Sequence, residues 1–125
     1  MEVFVISSDA VRGYIDLMIL CILSEQDSYG YEISKRISTK TNGTYSIKET
    51  TLYSAFTRLE SSGYISSYYG KESGGKRRTY YHVTPEGNTF YYKKCMEWKQ
   101  TKEVVDLFLS TDADQEKKYK MEESE

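Results

Sequence analysis

The chain has 125 residues, of which 38% are hydrophobic and 29% charged, and its formal net charge is −2. This length fits one ordinary domain, and the modest apolar fraction predicts that an oligomeric partner completes the fold. The longest near-continuous apolar run, residues 17–23, is far shorter than the roughly 20 residues of a membrane span, which excludes a transmembrane helix.

The cysteine and histidine content argues against a disulfide framework and against a metal site. The chain contains two cysteines and one histidine, so no common zinc-ligand spacing can be formed. Its first residues lack the basic segment and the cleavage pattern of a secretory signal peptide. We therefore expect a cytoplasmic protein that uses no metal and no other cofactor.

Charge is distributed unevenly along the chain. Residues 35–78 contain nine basic and three acidic residues, whereas residues 112–125 contain three basic and six acidic ones. A basic centre next to an acidic tail is a weak indication of nucleic-acid binding.

Two helices are predicted in the first third of the chain. Residues 10–24 carry apolar side chains at helical spacing, and the cap candidates Ser7, Ser8 and Asp9 precede them. Residues 29–38 repeat an apolar side chain every four positions, and the turn-forming pair at residues 42–43 follows.

A third helix is predicted over residues 48–61. Ser46 and Glu49 have the spacing of a capping box, which makes Ser46 the preferred cap and Lys48 the alternative. An apolar stripe lies on one side of this helix, hydroxyl side chains occupy the other side, and Gly63 provides a left-handed stop.

The second half predicts a β-hairpin and a long helix. Tyr64–Tyr69 and Thr79–Thr84 are rich in tyrosine and β-branched residues, and a glycine-rich basic segment separates them. Thr84-Pro85 is a helix start, from which one helix extends to Leu109. No structure is assigned to the polar residues after Thr111.

The long helix carries a coiled-coil seam, which predicts a homodimer interface. The seam residues are Tyr91, Cys95, Trp98, Lys102, Val105 and Leu109.

This order of elements predicts a mainly α fold with a small β-hairpin, a winged helix-turn-helix followed by a dimerisation helix. In such folds the third helix enters the major groove, and the hairpin tip, or wing, contacts the DNA backbone. The candidate DNA contacts are Lys48, Thr50, Thr51, Tyr53, Ser54, Thr57, Lys76, Arg77 and Arg78.

Two other classes of protein compete with this interpretation. A winged helix without specific DNA affinity would be a protein-interaction module, and Lys76 to Arg78 would then be an ordinary charged loop that protects a sheet edge. An enzyme is not expected, because the sequence shows no recognisable set of nucleophile, base and orienting group. His82 stands alone on a predicted strand.

Three motifs in order resemble those of the PadR family of transcriptional regulators. They lie at residues 29–33, 51–65 and 75–87, and the resemblance spans residues 10–109. It implies a homodimeric repressor that reads an inverted repeat, with a winged-helix DNA-binding domain and a C-terminal dimerisation helix. We place the DNA-binding domain at 1–84 and the dimerisation helix at 85–110, and the polar composition of 111–125 predicts a charged, disordered tail. Ser54 stands where such proteins usually have proline, which bears on the DNA contact there.

Only one helix follows the wing, which resembles the short members of the family. Multidrug-binding repressors among them hold flat aromatic compounds between symmetry-related tryptophans, and Trp98 occupies the corresponding place. The resemblance thus implies a planar aromatic effector at Trp98, with Asp16, Leu17 and Cys95 as further candidates. The competing interpretation is that Trp98 only packs in the dimer core.

Overall fold

The computed structural model describes residues 6–70, 77–109 and 113–124. It contains two compact units, Met1–Lys93 and Lys94–Glu125. The helices are α1 (Ser8–Val11), α2 (Ile15–Glu25), α3 (Gly30–Lys40), α4 (Glu49–Ser61), α5 (Pro85–Asp106) and α6 (Ala113–Ser124), and the strands are β1 (Ser28–Tyr29), β2 (Ile65–Gly70) and β3 (Arg78–Val83). A short 3-10 turn, Arg12–Tyr14, joins α1 to α2.

The first predicted helix is present but interrupted. Ser7 is its N-cap, and the Ser7 hydroxyl accepts a hydrogen bond from the backbone N–H of Ala10 at 3.2 Å. Gly13 lies within the interrupting 3-10 turn, and glycine disfavours a continuous helix because of its backbone freedom.

Helices α3 and α4 end as their glycines predict. Asn42 and Gly43 follow α3 with φ of 51° and 76°, and Gly63 follows α4 with φ of 78°. The N–H of Tyr64 reaches back to the carbonyl of Leu59 at 3.0 Å, which closes α4 in a Schellman turn. These left-handed turns end both helices.

The capping box predicted at Ser46 is wrong, and the helix begins after Lys48, the alternative cap. Lys48 makes no side-chain capping bond. The physical reason lies in the residues on either side of Ser46: Tyr45 and Ile47 are buried in the core, so the extended chain turns Ser46 outward to solvent. Core burial thus sets the start of α4.

The predicted hairpin is confirmed, and a short third strand extends it. The sheet is antiparallel in the order β1-β3-β2, with Ile65 opposite Val83 and Gly70 opposite Arg78 in the hairpin. Strand β1 has only two residues, and Tyr29 of this strand pairs with Tyr80. Two residues are too few to show an alternating pattern, so β1 leaves no signal in the sequence.

One hydrophobic core supports the first unit. The apolar faces of α2, α3 and α4 meet there, and the inner face of the sheet adds Ile65, Tyr81 and Val83. Phe56 of α4 stacks on Tyr81 with ring centroids 4.0 Å apart, so the core connects α4 directly to the hairpin. The position of the hairpin strands relative to α4 is therefore fixed by packing.

Helix α5 starts as predicted and ends earlier. The Thr84 hydroxyl accepts the N–H of Gly87 at 3.0 Å, which caps the helix ahead of Pro85. The helix ends at Asp106 instead of Leu109, and residues 107 and 108 form a tightened last turn. Serine, threonine and aspartate follow in the sequence, and all three are weak helix formers.

The absence of structure predicted after Thr111 is wrong over Ala113–Ser124, which forms α6. This segment contains three glutamates, three lysines and one each of glutamine, methionine and alanine, and all of these residue types favour a helix through local propensity. It has no apolar stripe, so a search for periodicity misses it.

Candidate nucleic-acid interface

Helix α4 presents a row of hydroxyls on the side opposite its buried stripe. Leu52, Ala55, Phe56 and Leu59 face the core. Thr50, Ser54 and Thr57 recur at spacings of four and three, so they form one exposed edge of the helix. The Thr57 hydroxyl donates to the Tyr53 carbonyl at 3.1 Å, which leaves the Thr57 oxygen as an acceptor. Hydroxyls can donate to and accept from base edges.

A first recess lies on one flank of this edge, between α4 and the start of α2. This α2–α4 cleft has a volume of about 580 Å³, and it is lined by Arg12, Asp16, Lys48, Thr51, Ser54 and Arg58, among others. It therefore brings together four of the predicted DNA contacts, at residues 48, 50, 51 and 54, with two arginines that were not predicted as contacts.

Asp16 and Arg58 form an ion pair in this cleft. The Arg58 Nε donates to one Asp16 carboxylate oxygen at 3.1 Å, and a terminal guanidinium nitrogen donates to the other oxygen. Asp16, predicted as an effector contact, thus fixes α4 to α2 through Arg58. Its neighbour Leu17 is half-buried on α2.

A second recess lies on the other flank of α4, against the wing. This wing cleft has a volume of about 400 Å³ and is lined by Tyr29, Gly30, Tyr31, Tyr53, Arg77 and Arg78, together with Thr79 and Tyr81. It contains three predicted DNA contacts, at residues 53, 77 and 78. The fourth contact predicted near it, Lys76, lies outside the described residues.

The wing arginines lie over aromatic rings. The Arg78 guanidinium carbon is 4.4 Å from the centroid of the Tyr29 ring, and that of Arg77 is 5.4 Å from the Tyr69 ring. Stacking of this kind restrains a guanidinium and leaves its N–H groups available. The motif at residues 29–33 contained Tyr29, but no local signal linked it to the wing.

A carboxylate on the loop before β1, that of Asp27, contacts both strands of the hairpin on their outer face. Asp27 accepts a hydrogen bond from the Tyr68 hydroxyl at 2.6 Å, and its other oxygen lies 2.8 Å from Nδ1 of His82. Partial burial by itself would raise the pKa of Asp27, but the hydrogen bonds with Tyr68 and His82 outweigh this effect and hold the pKa below its ordinary value. His82 thus has a structural partner.

Replacing Asp27 by asparagine is expected to lower the free energy of unfolding by about 1 kcal/mol at pH 7, because both hydrogen bonds lose a charged partner. Since folding lowers the pKa of this carboxyl, its contribution is complete above the unfolded value of 3.8 and is lost as the pH falls through the folded value. Urea unfolding between pH 3 and pH 7 should therefore show the variant approaching wild type below about pH 4.

The matched control is Asp106→Asn, which removes an exposed carboxylate that accepts from Lys102 at 3.0 Å. Its expected effect is below about 0.5 kcal/mol. A difference between wild type and Asp27→Asn that stays the same down to pH 3 would contradict the assigned role of Asp27.

The predicted seam residues divide between the two units. In the first unit, Tyr91 is half-buried and packs against the core. In the second unit, Cys95 is half-buried, Trp98 is 40% exposed, and Lys102 donates to Asp106. The large exposed apolar residues of this unit between residues 94 and 109 are Met96, Trp98, Val104, Val105, Leu107, Phe108 and Leu109. Leu109 lies beyond the end of α5.

Residues 6–70, 77–109 and 113–124 contain neither a cluster of metal ligands nor a membrane-spanning helix. No three histidine, cysteine, aspartate or glutamate side chains gather there as the ligands of a metal ion would. In the same part of the chain, no helix is both long and apolar enough to cross a membrane.

Comparison with known proteins identifies the family. The model of the transcriptional regulator PadR-like family matches residues 19–93. A protein from Lysinibacillus sphaericus is 45% identical over 104 residues, which cover 83% of this chain and 95% of that protein.

Solved structures agree with this match. A transcriptional regulator from Clostridium thermocellum is 61% identical, with a TM-score of 0.78, and the match covers 85% of this chain and all of the other. A PadR family transcription regulator from Clostridium difficile R20291 is 43% identical, with a TM-score of 0.69, over 78% of this chain and all of that one. The chain therefore belongs to the PadR-like family of transcriptional regulators.

Proposed function

We propose that the protein is a homodimeric, sequence-specific repressor that acts in the cytoplasm and binds an inverted repeat in double-stranded DNA. The observation that supports this best is the arrangement around α4, whose exposed hydroxyl edge is flanked by two recesses that contain cationic side chains. A helix in the major groove lies between two phosphate backbones, so cations are needed on both of its sides.

The roles of the individual residues follow from their positions. Thr50, Ser54 and Thr57 would contact base edges, because they form the outermost edge of α4. Lys48 and Thr51 would contact the backbone on one side and Tyr53, Arg77 and Arg78 the backbone on the other. Lys76 would add charge to the wing.

This function is tested by selecting duplexes from a random pool with the purified protein. The expected product is an inverted repeat whose half-sites lie about one helical turn, or 34–36 Å, apart. A pool that stays random after repeated selection would contradict sequence-specific binding, and enrichment of a single asymmetric site would contradict the two-fold arrangement.

The second unit supports the dimer part of the proposal. Trp98, Val105 and Leu109 are exposed on or just beyond α5, and a second copy of the chain would cover them. An apolar seam of this kind is stable in water only when a partner helix buries it.

Replacing Val105 by aspartate is expected to raise the dimer dissociation constant by at least about 100-fold, because it places an unpaired charge in the seam. Sedimentation velocity over a concentration series measures this shift. The control is Gln100→Asp, which adds the same charge on the opposite side of α5 and should leave the dissociation constant unchanged. Equal effects of the two substitutions would contradict the assigned seam.

A planar aromatic compound at Trp98 is the proposed signal for release from DNA. Two indoles related by the dimer axis would form a slot for a flat, cationic ligand beside Cys95. Asp16, which the sequence predicted as an effector contact, is paired with Arg58 within the first unit. Quenching of Trp98 fluorescence by such a compound, together with loss of DNA affinity, would support this mechanism. Ligand binding without DNA release would contradict it.

A further inference from the structure

Two side-chain links join α4 to its neighbours, one on each side of the hydroxyl edge. On one side, Arg58 donates to the two carboxylate oxygens of Asp16 on α2, through Nε at 3.1 Å and through a terminal guanidinium nitrogen. On the other side, the Ser67 hydroxyl of β2 donates to a carboxylate oxygen of Glu60 at 2.6 Å. We call these links the α2 brace and the β2 brace.

The two braces lie on opposite flanks of the helix. At about 100° per residue, Arg58 and Glu60 lie roughly 80° to either side of Thr50 on the helical wheel. Ser54 and Thr57 lie within about 40° of Thr50, so the hydroxyl edge lies between the two braces. A rotation of α4 about its axis, in either direction, would stretch one of the two links.

The buried stripe of α4 controls this rotation less finely than the braces do. Burial of apolar surface is non-directional, whereas a guanidinium that donates twice to one carboxylate has a fixed geometry. The hydroxyls of the edge stand about 5 Å from the helix axis, so a rotation of about 10° moves them by about 1 Å. Groups that recognise a ligand must be held within about 0.5 Å of their productive positions. A small rotation is therefore harmless to folding and harmful to recognition.

The position of Asp16 also argues for a role through Arg58. Among the described residues that line the α2–α4 cleft, Asp16 is the one acid. A carboxylate at a surface that faces DNA lowers the affinity for every DNA sequence. The Arg58 and Asp16 side chains are 55% and 27% exposed, and ion pairs at such exposure add little to the stability of a fold. Directional positioning of α4 explains the carboxylate better than either affinity or stability does.

We propose that Asp16 and Ser67 are positioning residues that determine the DNA sequence specificity of the protein, because they fix the rotation of α4 about its axis. The inference rests on the proposed function, since it concerns how the hydroxyl edge meets the edges of bases. Asp16 acts through Arg58, and Ser67 acts through Glu60. Loss of the braces weakens hydrogen bonds to bases and leaves contacts with the DNA backbone in place.

The test compares the affinity for the selected inverted repeat with the affinity for a random duplex of equal length. In the Asp16→Ala/Ser67→Ala variant, the ratio of the two affinities should fall at least about tenfold, because base contacts alone carry the ratio. Removal of Asp16 also frees the charge of Arg58, which raises both affinities to a similar extent and cancels in the ratio. A new selection from the random pool should give the same half-site spacing with weaker base preferences.

The matched control is Glu25→Ala/Ser66→Ala, which removes the same chemical groups away from α4. Glu25 is the carboxylate paired with Arg36 of α3, and Ser66 precedes Ser67 on β2. The affinity ratio of this control should stay within about twofold of wild type. The conservative variants Asp16→Glu and Ser67→Thr keep the carboxylate and the hydroxyl, so each should retain most of the ratio.

Ser67→Ala alone keeps the test independent of folding, because it removes one exposed hydroxyl. Its affinity ratio should fall at least about threefold. An unchanged ratio in the double variant, or an equal fall in the control, would overturn the positioning role and leave the proposed function intact. Lower resistance to urea without a change in the ratio would overturn it too, because the braces would then serve folding alone. Failure of wild type to distinguish any duplex would overturn both proposals.

Discussion

Replacing Gly87 by valine is expected to destabilise the protein by about 3 kcal/mol, because the position leaves no room for a side chain. A β-carbon at Gly87 would stand 2.0 Å from the backbone carbonyl oxygen of Tyr64 and 2.9 Å from a methyl carbon of Val83. The Tyr64 carbonyl cannot retreat easily, since it accepts the backbone N–H of Thr84 at 3.0 Å.

Thr84 connects this contact to its surroundings. Its hydroxyl donates to the Gly63 carbonyl at 2.7 Å and accepts the N–H of Gly87 at 3.0 Å. The turn after α4, the end of the hairpin and the start of α5 are therefore joined through the backbone. A shift at residue 87 disturbs all three.

Urea unfolding measures the effect of the Gly87 substitution. The control is Gly13→Ala, because nothing lies within 4 Å of a β-carbon at Gly13 and its φ is not positive. That control should be neutral or stabilising by up to about 0.5 kcal/mol. A Gly87→Val variant within about 0.5 kcal/mol of wild type would show that the helix start can move aside.

Replacing both Arg77 and Arg78 by alanine is expected to weaken DNA binding by about tenfold or more at low salt. The same variant should reduce the slope of log affinity against log salt by about two, because each arginine displaces about one counterion from a phosphate. The loss should be similar for every DNA sequence, since backbone contacts carry no base information.

The control for the wing variant is Lys118→Ala with Lys120→Ala, which removes the same charge from exposed positions on α6. Anisotropy titrations over a salt series should show an unchanged slope for this control. An unchanged slope for the Arg77/Arg78 variant would contradict a role of the wing in DNA binding. An equal reduction of the slope in both variants would contradict a role specific to the wing.

Features controlled by nearby residues could be predicted from the sequence. The apolar stripe and Gly63 placed α4 within one residue of its observed bounds, and Thr84-Pro85 placed the start of α5. Hydrophobic periodicity, left-handed glycine and proline at a helix start are all local effects. The hydroxyl edge of α4 followed from the same periodicity.

Features that depend on distant residues could not be predicted in this way. Asp16 and Arg58 are 42 residues apart, and only the packing of α2 against α4 brings them together. The contact of Arg78 with Tyr29 likewise requires the pairing of β1 with β3. The α2–α4 cleft and the wing cleft are therefore properties of the tertiary structure, although most residues that line them stand in recognisable motifs.

The most direct test of the account is fluorescence anisotropy of labelled duplex from upstream of the protein's own gene, titrated at about 50 and 200 mM salt. A scrambled duplex of equal length serves as competitor. The account predicts tight binding that weakens steeply with salt and that the scramble does not compete. Equal competition by the scramble would contradict sequence-specific reading by α4. Absence of binding to either duplex at low salt would contradict DNA binding altogether and favour a winged-helix module that binds another protein.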